Sequence, residues 1–264
     1  MIDAHLHLQF PEFDGILDKV IEAARKVGVK AFVVNGTSPE DWNQVASLAT
    51  EVAEIIPFFG VHPWKVNELR AGWEEELDRY LEAFPGAGVG EIGLDKWIRN
   101  HDIGRQRETF LRQLELAEKK ARPVTVHCLK AWGHLSECLK SSKFQRPFLL
   151  HSFGGPTELI GEFLKREAYF SLSGYFLRPD KTKKRDAFLS IPRERILLET
   201  DAPDMLPPDE LIQFPLSREG KEINHPANLR AIYEAYARWK ELPVSEVISA
   251  TSENFRQFTA LLRN

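Results

Sequence analysis

Two histidines near the start of the chain, in "MIDAHLHLQF", are the first residues that suggest chemistry. His5 and His7 lie two positions apart in an apolar stretch that reads as a β-strand, so both side chains should point to the same side of the sheet. A pair of converging neutral imidazoles can bind a divalent cation. The alternative is a pair of hydrogen-bonded core histidines, but the H-x-H pattern in a first strand favours metal binding.

Further polar residues stand at the ends of predicted strands, where a barrel enzyme places its chemistry. They are Glu91 in "AGVGEIGLD", His127 in "RPVTVHC", His151 in "RPFLLHSFGG" and Asp201 after "RILLET". With the first two histidines they make six potential ligands, more than a single zinc ion uses, which predicts two ions bridged by a carboxylate. Glu91 is the expected bridge, because a carboxylate offers two oxygens; taken alone, it could instead be a buried salt-bridge partner. The four imidazoles suit Zn or Mn better than Mg, so we predict two divalent cations (Zn, Mn or Mg).

The elements that must position these residues alternate along the whole chain, with short apolar runs separated by amphipathic helical segments such as "DGILDKVIEAARKVG" and "RQRETFLRQLELAEKKA". This alternation predicts an α/β protein of the TIM (β/α)8 barrel type, with an open doubly wound sheet as the alternative. No stretch resembles a linker, so we expect one domain over residues 1–264, with a Pro-rich active-site loop at 201–226. The predicted strands are 2–6, 29–35, 55–60, 87–91, 123–127, 147–151, 168–172 and 195–199.

The composition excludes several classes of protein. The 264 residues are 43% hydrophobic and 28% charged, with a formal net charge of −4. Such a balance indicates a globular chain without a broad cationic face for duplex DNA. Cys128 and Cys138 are too few for a disulfide scaffold. No signal peptide or membrane span is evident, so we expect a cytoplasmic protein that does not associate with membranes or need an obligate protein partner.

An ordered set of motifs resembles the TatD family of metal-dependent hydrolases and deoxyribonucleases, over nearly the whole chain. The motifs are "DAHLHL", "GVHPW", "GEIGLD", "QRETFLRQLELA", "PVTVHC", "HSFGG", "ETDAP", "NHPANL" and "TSENFRQF". The resemblance implies that one ion is held by His5, His7, Glu91 and Asp201, and the other by Glu91, His127 and His151.

The same resemblance implies roles around the metals. His62 would contact the scissile phosphate, although it could also be a loop histidine packed by its neighbours. Asp95 is expected to orient a ligand histidine through a hydrogen bond. Family members often carry an arginine two residues after the fifth-strand histidine; here Leu129 stands there and Lys130 follows, and we expect Lys130 to supply a point charge to the substrate. The glutamate of the family's late N-E-P motif is His225 here.

The implied reaction is hydrolysis of a phosphodiester at the end of single-stranded DNA or RNA. Glu91 and Asp201 would be the catalytic residues, with Asp201 as the base that takes a proton from water. The basic segment "RPDKTKKRD" after the seventh strand is either a phosphate contact or a solvated helix start. A second hypothesis is hydrolysis of an ester, amide or lactone, such as an aminoacyl ester, and a third is a metal-binding scaffold without activity. A bridging Glu91 favours the first over the second, and the complete ligand set speaks against the third.

Overall fold

A computed structural model describes residues 1–263 of the chain. These residues divide into two compact units. The first comprises Met1–Val34 and Phe170–Gln257, and the second comprises Asn35–Tyr169 together with the chain from Phe258. The single domain over 1–264 therefore stays a prediction, and Asn264 lies outside the described residues.

Eight strands follow one another in sequence order in one sheet, and the strands that pair within each unit are parallel. A doubly wound sheet would reverse its strand order at a switch point, so the consecutive order excludes that alternative. The strands are β1 Ile2–Leu6, β2 Ala31–Asn35, β3 Ile55–Phe59, β4 Gly88–Asp95, β5 Val124–Leu129, β6 Phe148–Leu150, β7 Ala168–Ser173 and β8 Ile196–Glu199.

Helices separate the strands, as the periodicity predicts. In the first unit they are α1 Leu17–Lys26, α7 Thr182–Ser190, α8 Leu229–Lys240 and most of α9 Val244–Phe258. In the second unit they are α2 Pro39–Glu51, α3 Trp73–Ala83, α4 Ile103–Lys119, α5 Trp132–Ser141 and α6 Ile160–Leu164. None of the helices among the described residues is long and apolar enough to cross a membrane.

Local sequence explains where representative helices begin and end. The helix α2 starts with a capping box, in which Ser38 caps the first turn and Asp41 accepts a hydrogen bond from the Ser38 amide at 3.2 Å. Pro39 at the first helical position has no amide hydrogen to satisfy. The helix α1 buries Val20, Ile21 and Ala24 and ends two residues before Gly28, whose φ of +99° takes the chain out of the helix.

The strand β4 is buried along its whole length and pairs closely with β5. A Cβ at Gly93, where φ is +150°, would stand only 1.9 Å from the backbone oxygen of His127, so only glycine lets the two strands approach here. Both β1 and β4 have a break in their pairing register. The breaks lie between Asp3 and Leu6 and between Val89 and Ile92, and they contain His5 and Glu91 respectively.

The segment predicted as an irregular loop, 201–226, is more structured than expected. It contains a small antiparallel hairpin of β9 Leu216–Arg218 and β10 Lys221–Ile223. The turn residues Glu219 and Gly220 both have positive φ, +50° and +78°, as the favoured two-residue hairpin turn requires. The expectation of a wholly irregular loop was therefore wrong at this point.

Candidate metal centre

In the first unit, β1 is tied to the segment that follows β8. The Asp201 amide donates to the His5 carbonyl oxygen at 3.0 Å, and the His7 amide donates to the Ala202 carbonyl oxygen at 2.8 Å. The Thr200 amide and hydroxyl donate to the two carboxylate oxygens of Asp3 at 2.9 and 2.6 Å. These bonds bring residues nearly two hundred positions apart into one place.

Asp3 is fully buried beneath this cluster. Burial raises the pKa of Asp3 well above its usual range, against the lowering effect of the hydrogen bonds from Thr200. Asn224, from the "NHPANL" motif, donates from its side-chain nitrogen to the Thr200 carbonyl oxygen at 2.8 Å and so supports the same turn. The sequence did not single out Asp3 and Thr200 as a pair, because nothing in the spacing of the two residues joins them.

As a result, three atoms that could bind a metal face one another: His5 Nε2, His7 Nε2 and Asp201 Oδ1. The two imidazole nitrogens are 3.2 Å apart, and Asp201 Oδ1 is 3.5 Å from His5 Nε2 and 3.7 Å from His7 Nε2. His7 lies just past the end of β1 rather than within it, and the ring of Phe10 stacks on it at 4.7 Å. Asp201 has a φ of +55°, a conformation that costs a non-glycine residue energy and that is concentrated at functional sites.

In the second unit, three imidazoles surround the carboxylate of Glu91. Its Oε1 atom lies 2.8 Å from His151 Nε2, 3.0 Å from His127 Nδ1 and 3.4 Å from His62 Nε2. His127 Nδ1 and His151 Nε2 are 3.2 Å apart. Glu91 is buried, with 2% of its surface exposed, so its charge has to be met by these neighbours.

Asp95 fixes the ring of His127. Its Oδ2 atom lies 3.0 Å from His127 Nε2, which leaves Nδ1 to face Glu91. This contact is the hydrogen bond expected of Asp95, whereas the role of His127 as a metal ligand stays a prediction. Burial would raise the pKa of Asp95, but hydrogen bonds from His127, Trp64 and Trp97 outweigh it and lower that pKa. Burial likewise opposes protonation of His127, whereas Asp95 and Glu91 raise its pKa above the usual value.

His62 differs from the other two imidazoles. Its Nδ1 atom accepts a hydrogen bond from the Trp64 amide at 3.2 Å, so the neutral ring carries its proton on Nε2. That proton points toward Glu91. Although suitable atoms of His62, Glu91 and His127 lie within 4.8 Å of one another, a protonated nitrogen cannot bind a metal. The tautomer instead makes His62 a hydrogen-bond donor, as the phosphate-contact role requires.

Two glutamines of α4 hold the backbone beneath this cluster, and sequence reasoning missed both. Gln106 exchanges hydrogen bonds with the amide and carbonyl of Asp95, at 2.8 and 2.9 Å. Gln113 does the same for Val61, next to His62, at 2.7 and 3.2 Å. The two are seven residues apart, the spacing of one helix face, and that face also buries Phe110 and Leu114. This spacing in "QRETFLRQLELA" is the signal that could have identified them.

Two other predicted substrate contacts are less defined. Lys130 is exposed, one residue beyond the end of β5, with a φ of +55°. No ion pair involves its amine among residues 1–263, and its role in binding stays a prediction. In the basic segment, Arg178 and Lys181 both lie over the ring of Tyr175, at 5.3 and 4.9 Å, and Lys181 also pairs with Asp180. Arg185 lies over the ring of Trp239 at 5.5 Å, so at least three of the segment's cations are already engaged within the chain.

The donor atoms of both clusters fit a divalent cation. Ligands of a tetrahedral zinc at bond lengths near 2.05 Å stand about 3.3 Å apart. The separations are 3.2–3.7 Å in the first unit and 2.8–3.2 Å among Glu91, His127 and His151 in the second. Buried nitrogens at such distances need either protons between them or a metal, and the donor types are those that Zn and Mn prefer.

Comparison with known proteins decides the family. The family model described as "TatD related DNase" matches residues 2–260. The chain belongs to this family. It is therefore a metal-dependent hydrolase of the TatD type, and the resemblance seen in the sequence motifs is confirmed.

Several TatD relatives match nearly end to end. An uncharacterized metal-dependent hydrolase, YjjV of Escherichia coli, is 28% identical over 96% of this chain and 95% of its own length. A 3'-5' ssDNA/RNA exonuclease, TatD of Edwardsiella piscicida, is 31% identical over 99% of this chain and all of its own. The crystal structure of Escherichia coli YjjV superimposes with a TM-score of 0.88 at 27% identity, covering 98% of this chain and 97% of that one. With the consecutive strand order, this likeness shows the predicted (β/α)8 barrel fold.

Proposed function

We propose that this TatD-family hydrolase is a phosphodiesterase that uses two divalent cations and removes nucleotides from the ends of single-stranded DNA or RNA. One observation carries the proposal: each unit gathers imidazole and carboxylate donor atoms at the separations of a chelating site. We propose that His5, His7, Glu91 and Asp201 hold one cation, and that Glu91, His127 and His151 hold the other. The support is the consecutive strand order of a parallel barrel, together with the places of the residues along their strands. Near the carboxyl end of a strand or just beyond it lie His5, His7, His151 and Asp201, and within β4 and β5 lie Glu91 and His127.

The bound cations would lower the pKa of a water molecule, polarise the phosphoryl oxygen and stabilise the departing oxyanion. The chain's own residues do the remaining work. Asp201 accepts a proton from the attacking water, and its φ of +55° after β8 supports this role, because strained backbone is concentrated at functional sites. His62 donates a hydrogen bond from Nε2–H to a phosphate oxygen and keeps its proton, because the Trp64 amide holds the neutral ring in that tautomer. Lys130 adds a positive charge at the rim.

Support for a nucleic-acid substrate comes from relatives named as deoxyribonucleases and exonucleases. A cytoplasmic location is part of the same proposal. Both cysteines are buried and unpaired, as a reducing compartment allows.

The proposal is tested by metal analysis combined with substrate screening. The purified chain is loaded separately with Zn, Mn and Mg, and then offered end-labelled single-stranded DNA and RNA beside a panel of small esters and lactones. We expect two metal equivalents per chain and stepwise shortening of the oligonucleotides. The Glu91→Ala variant should lose the two metal equivalents and the oligonucleotide cleavage. His134 lies on α5 outside the two clusters, so His134→Ala should retain the metal and the cleavage.

Two other outcomes would contradict the proposed phosphodiesterase activity. Turnover of the ester panel, with no oligonucleotide cleavage under any of the three metals, would move the chain to the ester or lactone hydrolases. Binding of metal with neither activity would favour a scaffold.

A further inference from the structure

Three large apolar side chains are exposed among the described residues, and all three stand beside the cluster of the second unit. They are Trp64, Trp97 and Leu129, with 47%, 58% and 36% of their surface exposed. Each comes two residues after a side chain already described: His62, Asp95 and His127 respectively. Exposed apolar surface gathered in one place marks an interaction site more often than isolated exposed residues do.

The two tryptophans are held by the same buried carboxylate. The indole Nε1 of Trp64 donates to Asp95 Oδ2 at 2.7 Å, and the amide of Trp97 donates to Asp95 Oδ1 at 2.6 Å. The Lys96 amide also donates to the Leu129 carbonyl oxygen at 2.9 Å, which joins the third residue to the same loop. The ring of Trp64 meets the ring of His62 edge-on, with centroids 5.1 Å apart. The Trp64 ring, fixed in this way, gives up little conformational entropy when a ligand binds.

Positive charges neighbour Trp97 and Leu129 in the sequence. Lys96, Arg99 and Lys130 are exposed, and no carboxylate pairs with them in the part of the chain that the structure describes. Exposed aromatic faces alternating with free cations are the features with which proteins bind single-stranded nucleic acid, because every base has a face that stacks and every linkage carries a negative charge. A partner that offered only apolar surface would leave these cations without counter-charges.

We infer that Trp64 and Trp97 form an indole platform that stacks an unpaired base of a single-stranded nucleic acid, next to the phosphate that His62 contacts. This inference rests on the proposed phosphodiesterase function and adds a binding subsite to it. Asp95 connects the platform with the metal cluster, since the carboxylate that holds both tryptophans also fixes the His127 ring. Trp64 is therefore also a positioning residue for a metal ligand.

The platform is tested with a short deoxyadenosine oligonucleotide in which one base is removed at successive positions. Binding is followed by fluorescence anisotropy of a terminal dye, with Asp201→Asn as the background that prevents cleavage. We expect loss of the stacked base to weaken binding about tenfold at one position, within the range for base stacking on an aromatic side chain. Trp97→Ala should abolish this difference between the intact and abasic strands. Trp239→Ala, a partly exposed tryptophan on α8, should leave it unchanged.

The outcomes separate the platform from the wider proposal. If the wild-type chain cleaves the oligonucleotide but the abasic penalty is the same in Trp97→Ala and Trp64→Leu, the platform is wrong and the phosphodiesterase stands. If the penalty is present and is lost in these variants, while no metal supports cleavage, the platform stands and the phosphodiesterase is wrong. Circular dichroism of each variant confirms that it is folded, as the exposure of both side chains predicts.

A second variant tests the positioning role separately. Trp64→Phe keeps an aromatic face but removes the N–H that holds Asp95. We expect it to retain the abasic penalty within about threefold but to bind a divalent cation about tenfold more weakly in titration calorimetry without nucleic acid. Trp97→Phe is the matched control and should change neither quantity, because only its backbone amide contacts Asp95. Unchanged cation affinity in Trp64→Phe would show that the indole N–H does not orient His127.

Discussion

His225 should make the stability of this chain sensitive to mild acid. The side chain is buried beside Phe214, with ring centroids 5.5 Å apart, and its Nδ1 atom accepts a hydrogen bond from the Ala227 amide at 2.9 Å. Burial lowers the pKa of His225 from 6.5 to about 4. A protonated ring would lose the hydrogen bond from Ala227 and would place a charge in a site with little solvent.

The direction and size of the change in stability with pH follow from the folded and unfolded pKa values of His225. Because the folded state binds its proton less readily than the unfolded chain, the stabilising contribution is complete above pH 6.5 and is lost progressively as the pH falls toward 4. Between pH 7.5 and pH 5.0 the loss should be about 2 kcal/mol of the free energy of unfolding. That is a large share of the stability of an ordinary domain.

Urea unfolding at the two pH values, in the presence of EDTA, measures the effect. Other histidines also titrate in this range, so the comparison is made with His225→Asn, whose side-chain oxygen can still cap the following turn but does not ionise. The wild-type chain should lose about 2 kcal/mol more than the variant between pH 7.5 and 5.0. Equal losses in the two proteins, or a larger loss in the variant, would refute the reasoning.

Three further predictions concern catalysis, strand pairing and the hydrogen bonds between α8 and β1. Asp201→Asn should lower turnover by at least about 100-fold while metal content, measured by atomic emission, changes far less; wild-type turnover with metal bound would remove Asp201 as the base. Gly93→Ala should destabilise the fold by more than about 3 kcal/mol in urea unfolding, because its methyl group would overlap the His127 carbonyl, whereas Gly133→Ala, with open space around it, should be nearly neutral. Tyr233→Phe should cost about 1–3 kcal/mol in the same assay, since the buried hydroxyl donates to the Ile2 carbonyl at 3.1 Å and accepts from the Ile2 amide at 3.3 Å; a change below about 0.3 kcal/mol would contradict this.

The strand positions could be predicted because a strand of a parallel barrel is covered on both faces and reads as an apolar run. The ends of the strands were harder to predict from the sequence. The strand β4 was expected to stop at Glu91, but it continues to Asp95. A glutamate and two glycines interrupt the apolar pattern there, and only the close approach to β5 at Gly93 explains why the strand continues. The hairpin β9–β10 was missed because three-residue strands are too short for a periodic signal.

The candidate ligands could be selected from their places at the ends of the predicted strands, but the orientation of each side chain could not be predicted. Which nitrogen of His127 faces Glu91 depends on Asp95, and the proton position of His62 depends on the Trp64 amide. These are contacts between side chains and neighbouring loops that no spacing rule encodes. Gln106 and Gln113 were overlooked for a similar reason, since glutamines within a helix are usually solvated.

The register breaks in β1 and β4 set a limit on redesign of this barrel. His5 and Glu91 are each carried by the few residues that fall out of step with the neighbouring strand. Redesigning these two strands with regular pairing would add hydrogen bonds between strands, but it would also change the directions in which His5 and Glu91 point. Regular pairing and reactive geometry therefore compete at these two places, whereas the turn at Glu219 and Gly220 can accept extra residues without that conflict.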